Sequence, residues 1–229
     1  MKIVKIEQIF KTLSEEKNYI YFKNEVDNYN LNNIFRKFLI YGMILIYFIQ
    51  IYLIYIGSDI INYFYFNKDN LNLISIFLSN FSHGPIFHLV LNLFAFSFIV
   101  KRLFFINYKT ILFLIFIGSI SSLLFSYLFM SGGNLLGSSG FIFALFGFWG
   151  CYLFDGLKLY SEHIESNKLN NVKRFLTINA FILFALSFIP NVAWFAHLGG
   201  FVAGFLFYNY YKNKIEYKPS NYQIISETI

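Results

Sequence analysis

Cysteine occurs once in the 229 residues, at Cys151, so no disulfide can close within the chain and no cysteine-based metal site can be assembled. Cys151 sits in an apolar stretch and reads as a small packing residue. Charge is also scarce. Asp, Glu, Lys and Arg make up 13% of the chain against 57% apolar residues, and the mean hydropathy is +0.55. One water-soluble core of this size cannot hide so much apolar surface, which excludes an ordinary soluble globule and calls for lipid. Internal repeats and low-complexity linkers are missing. No cleavable leader is read either: residues 1–37 are polar to mixed, no small-x-small site follows the first apolar run, and the first span is expected to stay.

Six apolar runs are long enough to test as membrane crossings, which take about 20 helical residues. They cover roughly 38–56, 85–105, 110–130, 138–154, 174–190 and 193–211. Pro190-Asn191 separates the last two, because proline removes a backbone donor and biases Ile189 away from helix. The expected architecture is an all-α bundle of six transmembrane helices over 38–211, preceded by an N-terminal segment 1–37 and followed by a tail 212–229. Basic residues set its orientation. Lys2, Lys5, Lys11, Lys17, Lys23, Arg36 and Lys37 precede the first span; Lys101, Arg102 and Lys109 lie between the second and third; Lys158, Lys168, Lys173 and Arg174 between the fourth and fifth; Lys212, Lys214 and Lys218 after the sixth. Lys68 alone is left for the other side, so both termini are read as cytoplasmic. This topology accounts for the net charge of +6, and no nucleic-acid partner is inferred from it.

Residues 57–84 form the longest loop on the far side. Aromatic and aliphatic residues alternate there with Asn, Asp, Ser and Lys, which suits short helices lying in the membrane interface.

Three of the four histidines, His83, His88 and His197, fall within or at the ends of apolar spans, where a polar side chain needs a partner and often serves function. His163 lies in a basic loop and reads as solvated. From a helix starting near Pro85, the i, i+4 spacing puts His88 and Asn92 on one face. Ser139 lies in Gly137-Ser138-Ser139-Gly140. Gly140, Ala144 and Gly147 then form a smooth stripe, and Gly200 and Gly204 form a second one with His197 a turn above. Packing the stripes together brings His197 toward Ser139. Spans two, four and six all start on the far side, so His88, Asn92, Ser139 and His197 share one depth.

That grouping has a chemical reading. A serine hydroxyl is a weak nucleophile that needs a base within hydrogen-bond reach, which neutral His197 supplies. The oxyanion formed on attack needs fixed donors, and His88, the Asn92 amide and the backbone N–H of Ser139 supply those. Every carboxylate is assigned to loops or tails, so the machinery is a Ser-His dyad without a third member.

Three motifs together resemble those of the rhomboid family of intramembrane serine proteases: Gly137-Ser138-Ser139-Gly140; His83, His88 and Asn92 at H-x-x-x-x-H-x-x-x-N spacing; and Ala196, His197, Gly200 and Gly204. The resemblance implies Ser139 as nucleophile, His197 as general base, and His88, Asn92 and the Ser139 amide as oxyanion hole. His83 becomes a supporting residue at the entrance, and Gly137 and Gly140 shape the nucleophile turn. It further implies a six-helix rhomboid-like bundle with an interfacial first loop, of the minimal form found in the bacterial plasma membrane. Its substrates would be single-pass membrane proteins cleaved near the extracytoplasmic face, and no cofactor or metal is expected. The first loop departs from the family in having no Trp-Arg pair, and Ile99-Val100-Lys101-Arg102-Leu103 lacks a glutamate often found there.

Two other classes fit part of the pattern. A non-proteolytic rhomboid-like protein that binds membrane clients typically lacks the serine or histidine, and this chain has both. A small transporter would spread polar groups through the membrane depth, whereas here they gather near one face.

Overall fold

Gly57 ends the first described helix. In the computed structural model, which describes residues 19–130, 133–160 and 193–215 with isolated helical positions 170, 174, 177 and 178 between, α1 runs Tyr19–Tyr55 without a proline to break it. At φ +63 Gly57 takes the left-handed turn that other residues avoid. Its N–H bonds to the Ile54 carbonyl at 3.1 Å, and that of Ser58 to the Leu53 carbonyl at 3.0 Å, which caps the helix in a Schellman motif. At 37 residues α1 is about 55 Å long, nearly twice a membrane's hydrocarbon thickness. It therefore begins well ahead of the apolar run at 38–56.

The loop that follows holds the short helices its composition predicts. Ser58 caps a 3-10 helix over Asp59–Phe64, and Asn72 caps α2, Leu73–Leu78, by accepting from the Ile74 N–H at 2.7 Å. Between them lies an element absent from the sequence reading. A two-residue strand β1, Phe66–Asn67, pairs antiparallel with β2, Asn134–Leu135, setting Phe66 opposite Leu135 and Asn67 opposite Asn134. The two asparagine side chains bond at 3.0 Å, and Lys68 Nζ donates to the Met130 carbonyl at 2.7 Å. The first loop is thereby tied to the segment that leads into the Ser139 helix.

Behind Pro85, α3 spans Ile86–Arg102; α4 follows over Tyr108–Phe129, capped by Asn107, whose side chain accepts from the Thr110 N–H at 2.9 Å. Next come α5, Ser139–Tyr160, and α6, Trp194–Tyr211. Aromatic rings take a large part in the core: Phe96, Phe141, Phe148, Trp149 and Tyr152 are buried, and Phe105 stacks on Tyr152 with ring centroids 3.7 Å apart.

Outward faces are equally apolar. Phe38 is 72% exposed and Phe94 71%, as lipid-facing residues should be. Among the described residues, three helical segments are long and apolar enough to cross a membrane: Asp27–Tyr55, Tyr108–Phe129 and Ser139–Gly156. The spans expected at 85–105 and 193–211 correspond to α3 and α6, of 17 and 18 residues. The one expected at 174–190 lies outside the described residues apart from three positions, as do residues 1–18 and 216–229 of the two tails. The structure is that of a mostly helical membrane protein.

Candidate active site

Backbone geometry at Gly137 makes room for two side chains. With φ +126 it adopts a conformation other residues rarely take, and its N–H is fixed by the Ser79 carbonyl at 2.8 Å. A Cβ at this position would lie 2.8 Å from His88 Cε1, 3.1 Å from His88 Nε2 and 3.9 Å from Ser139 Oγ. Only glycine lets the His88 imidazole and the Ser139 hydroxyl border the same small space. Ser139 opens α5, where the first N–H groups of the helix have no intrahelical acceptor.

The small residues of α5 and α6 bring the two backbones together. A Cβ on Gly200 would collide with the Gly140 carbonyl, and one on Gly204 with the Ala144 carbonyl. In the opposite direction, a Cβ on Gly147 would lie 2.6 Å from the Phe201 carbonyl oxygen, and one on Gly140 would strike the Ser122 hydroxyl and come within 3.8 Å of the Ala196 carbonyl. Gly140 follows Ser139 and Ala196 precedes His197, so this approach sets the histidine beside the serine turn. His197 is 8% exposed and lies flat on Phe143, with ring centroids 4.1 Å apart and planes 8° apart. Phe143 is one turn after Ser139 on α5. On the side away from α5, Gly199 presses against α4, where Ser121 Oγ donates to its carbonyl at 2.8 Å.

Ser138 does different work from its neighbour. It is fully buried, and its Oγ lies 3.1 Å from His83 Nε2. The other ring nitrogen, Nδ1, is 3.1 Å from the Phe81 carbonyl. A carbonyl can only accept, so Nδ1 carries the proton and Nε2 accepts from the Ser138 hydroxyl. The His83 backbone N–H donates to Gln50 Oε1 of α1 at 3.0 Å. Burial, with the nearby His88 as a smaller cause, pushes the His83 imidazole down to about 3, so it is neutral near pH 7.

His88 packs edge-on against His83, ring centroids 5.2 Å apart. Asn92 is 7% exposed and its Nδ2 donates to the His88 carbonyl at 3.1 Å. A primary amide has two N–H donors, which leaves one for another acceptor. His83, His88, Asn92, Ser139 and His197 thus gather where α3, α5 and α6 begin. His163, read as solvated, lies outside the described residues.

A model of the rhomboid domain matches residues 70–213, a stretch that holds every one of these side chains. The chain belongs to the rhomboid family. Among its relatives, RHOMBOID-like protein 4 of Arabidopsis thaliana is 32% identical over 130 residues, covering 56% of this chain and 31% of that protein. RHOMBOID-like protein 1 of the same plant is 36% identical over 127 residues, covering 54% and 31%. The aligned part of this rhomboid spans about a third of the length of the relatives it matches.

One correction to the sequence reading concerns a carboxylate of the rhomboid domain. Asp155 is on a helix and not in a loop, since α5 continues to Tyr160; its Oδ2 accepts from Tyr208 Oη at 2.6 Å. It stands sixteen residues beyond Ser139, about 24 Å along the axis, and so lies far from His197. Ser138, Gln50, Ser79 and Phe143 were not singled out. Of these, only Phe143 carried a sequence signal, its i, i+4 relation to Ser139.

Proposed function

We propose that this rhomboid protein is a serine endopeptidase that cleaves membrane proteins near the end of a transmembrane helix, with Ser139 as nucleophile and His197 as its base. The observation that carries the reading is the Gly137 turn: its lack of a side chain lets Ser139 Oγ and His88 Nε2 face one space, beside a buried His197 held by the α5–α6 approach. Ser139 Oγ attacks the scissile carbonyl while His197 takes its proton, and His197 then returns that proton to the leaving amine. The carbonyl oxygen, negative in the intermediate, is met by the Ser139 N–H, His88 and the second N–H of Asn92. Water repeats the cycle on the acyl-enzyme and releases the acid. In this reading Asp155 takes no part, and a Ser-His dyad suffices.

The same reading gives the domain 38–211 six transmembrane helices, both termini cytoplasmic, and the site near the extracytoplasmic face, consistent with basic residues concentrated on one side. Substrates are single-pass membrane proteins whose helix can unwind at the site, and the setting is a bacterial-type plasma membrane. Co-reconstitution in liposomes with a panel of single-pass helices of differing helix stability tests this. Cleavage of the less stable helices, lost in Ser139→Ala, is expected; an intact panel with wild-type protein shown to be folded contradicts it.

A further inference from the structure

We propose that the opposite end of the bundle, where α1 crosses the end of α3, is a binding site for the phosphodiester headgroup of an anionic phospholipid. Arg36 of α1 is aimed there: its Nη1 donates to Ser97 Oγ of α3 at 2.6 Å, and its Nη2 to Asn33 Oδ1 at 2.6 Å. Lys101 is one turn beyond Ser97 on α3, so its side chain rises from the same face as the hydroxyl that holds Arg36. Two cations from two helices therefore converge at one place. Lys101 is thirteen residues from His88, about 20 Å along α3, which separates this place from the candidate active site.

The charge is not balanced within the protein. Among the described residues no carboxylate pairs with Arg36 or Lys101, and Asp155, the carboxylate on α5, is taken by Tyr208. A guanidinium has five N–H donors, two of which are used here, and the buried Arg36 Nε has no acceptor. The position suits a lipid. An α3 of 17 residues is about 26 Å long, so its last turn reaches the edge of the hydrocarbon layer, where headgroup phosphates lie. Phe94, three residues before Ser97, and Phe38, two after Arg36, stand 71% and 72% exposed, giving apolar surface for the acyl chains that hang from such a headgroup. Lys101 is exposed and can swing onto the phosphate, while Arg36 is held in place for it. Positive charge beside apolar surface complements an anionic lipid; a zwitterionic one brings its own cation and gains less.

Native mass spectrometry of the full chain in detergent, titrated with phosphatidylglycerol or with phosphatidylcholine of the same acyl chains, tests the site. Wild type is expected to retain phosphatidylglycerol preferentially. Retention is expected to fall about fivefold in Lys101→Gln and at least tenfold in Arg36→Gln with Lys101→Gln. Lys37→Gln with Lys109→Gln removes the same charge from the same end and is expected to change retention less than about twofold. Lys101 is solvent-exposed, so its single variant stands even where the double variant does not fold. Equal retention of the two lipids overturns the proposal, as does an equal loss in the Lys37 and Lys109 variant, which would mean diffuse charge attraction. Complete displacement of the lipid by inorganic phosphate also overturns it, because the site would then be one for a free anion.

Discussion

His83 Nε2 accepts a hydrogen bond from the Ser138 hydroxyl at 3.1 Å, and this contact gives the two adjacent serines of the Gly137–Gly140 turn separate jobs. Ser138 points into the protein and ties the turn to the first loop. Ser139, half-exposed, is left facing the space that His88 borders.

Ser138→Ala therefore leaves a buried imidazole nitrogen without a donor, which costs about 1–3 kcal/mol of stability. The expected result is a lower melting temperature in detergent with reduced but measurable cleavage. Ser139→Ala has the opposite signature: an unchanged melting temperature and no cleavage. A Ser138→Ala protein as stable as wild type would show that the His83 contact is not a structural tie.

Protonation of His83 opposes folding. Its folded value of about 3 lies below the ordinary 6.5, so below pH 6.5 the unfolded chain binds more protons than the folded one. Stability from this group is complete above pH 6.5 and is lost as pH falls from there toward 3, at up to about 1.4 kcal/mol per pH unit. His83→Gln, which does not titrate there, is expected to flatten the decline of melting temperature between pH 7 and 5. An unaltered slope would contradict the assignment.

Gly204 has no reactive atom, yet its replacement by Leu is expected to abolish cleavage. Any side chain there meets the Ala144 carbonyl and drives α5 and α6 apart, carrying His197 out of reach of Ser139; a displacement of about 1 Å can cost 100-fold in rate. Gly150, on the same helix α5, has nothing within 4 Å of an added Cβ, and Gly150→Ala should keep full activity. Matching behaviour of the two variants would refute the close-approach argument.

Asn92→Ala removes one oxyanion donor. Turnover is expected to fall about 100- to 1,000-fold with KM little changed, because the donor acts on charge that develops only in the transition state. A loss confined to KM would reassign Asn92 to substrate binding.

Much of this arrangement was legible in the chain because it depends on periodicity. The glycine stripes of α5 and α6, the His88–Asn92 spacing and the approximate extents of α3, α4 and α6 all follow from 3.6 residues per turn and the thickness of a membrane. What escaped notice depends on contacts between segments far apart in sequence. The β1–β2 pair joins Phe66 to Leu135 through two residues of strand each, too short to leave a period-2 pattern. The burial of Ser138 is set by His83, fifty-five residues away, and no local feature distinguishes it from Ser139. Helix α1 outran its apolar stretch because residues before 38 carry no glycine or proline to stop it, although they are too polar to count toward a span.

The central claim is that Ser139 is an activated nucleophile, and labelling of the purified protein by a fluorophosphonate serine probe tests it most directly. The account predicts that wild type is labelled, that Ser138→Ala is still labelled, and that Ser139→Ala and His197→Ala are not. Failure to label folded wild type, or persistence of the label in Ser139→Ala, would contradict it.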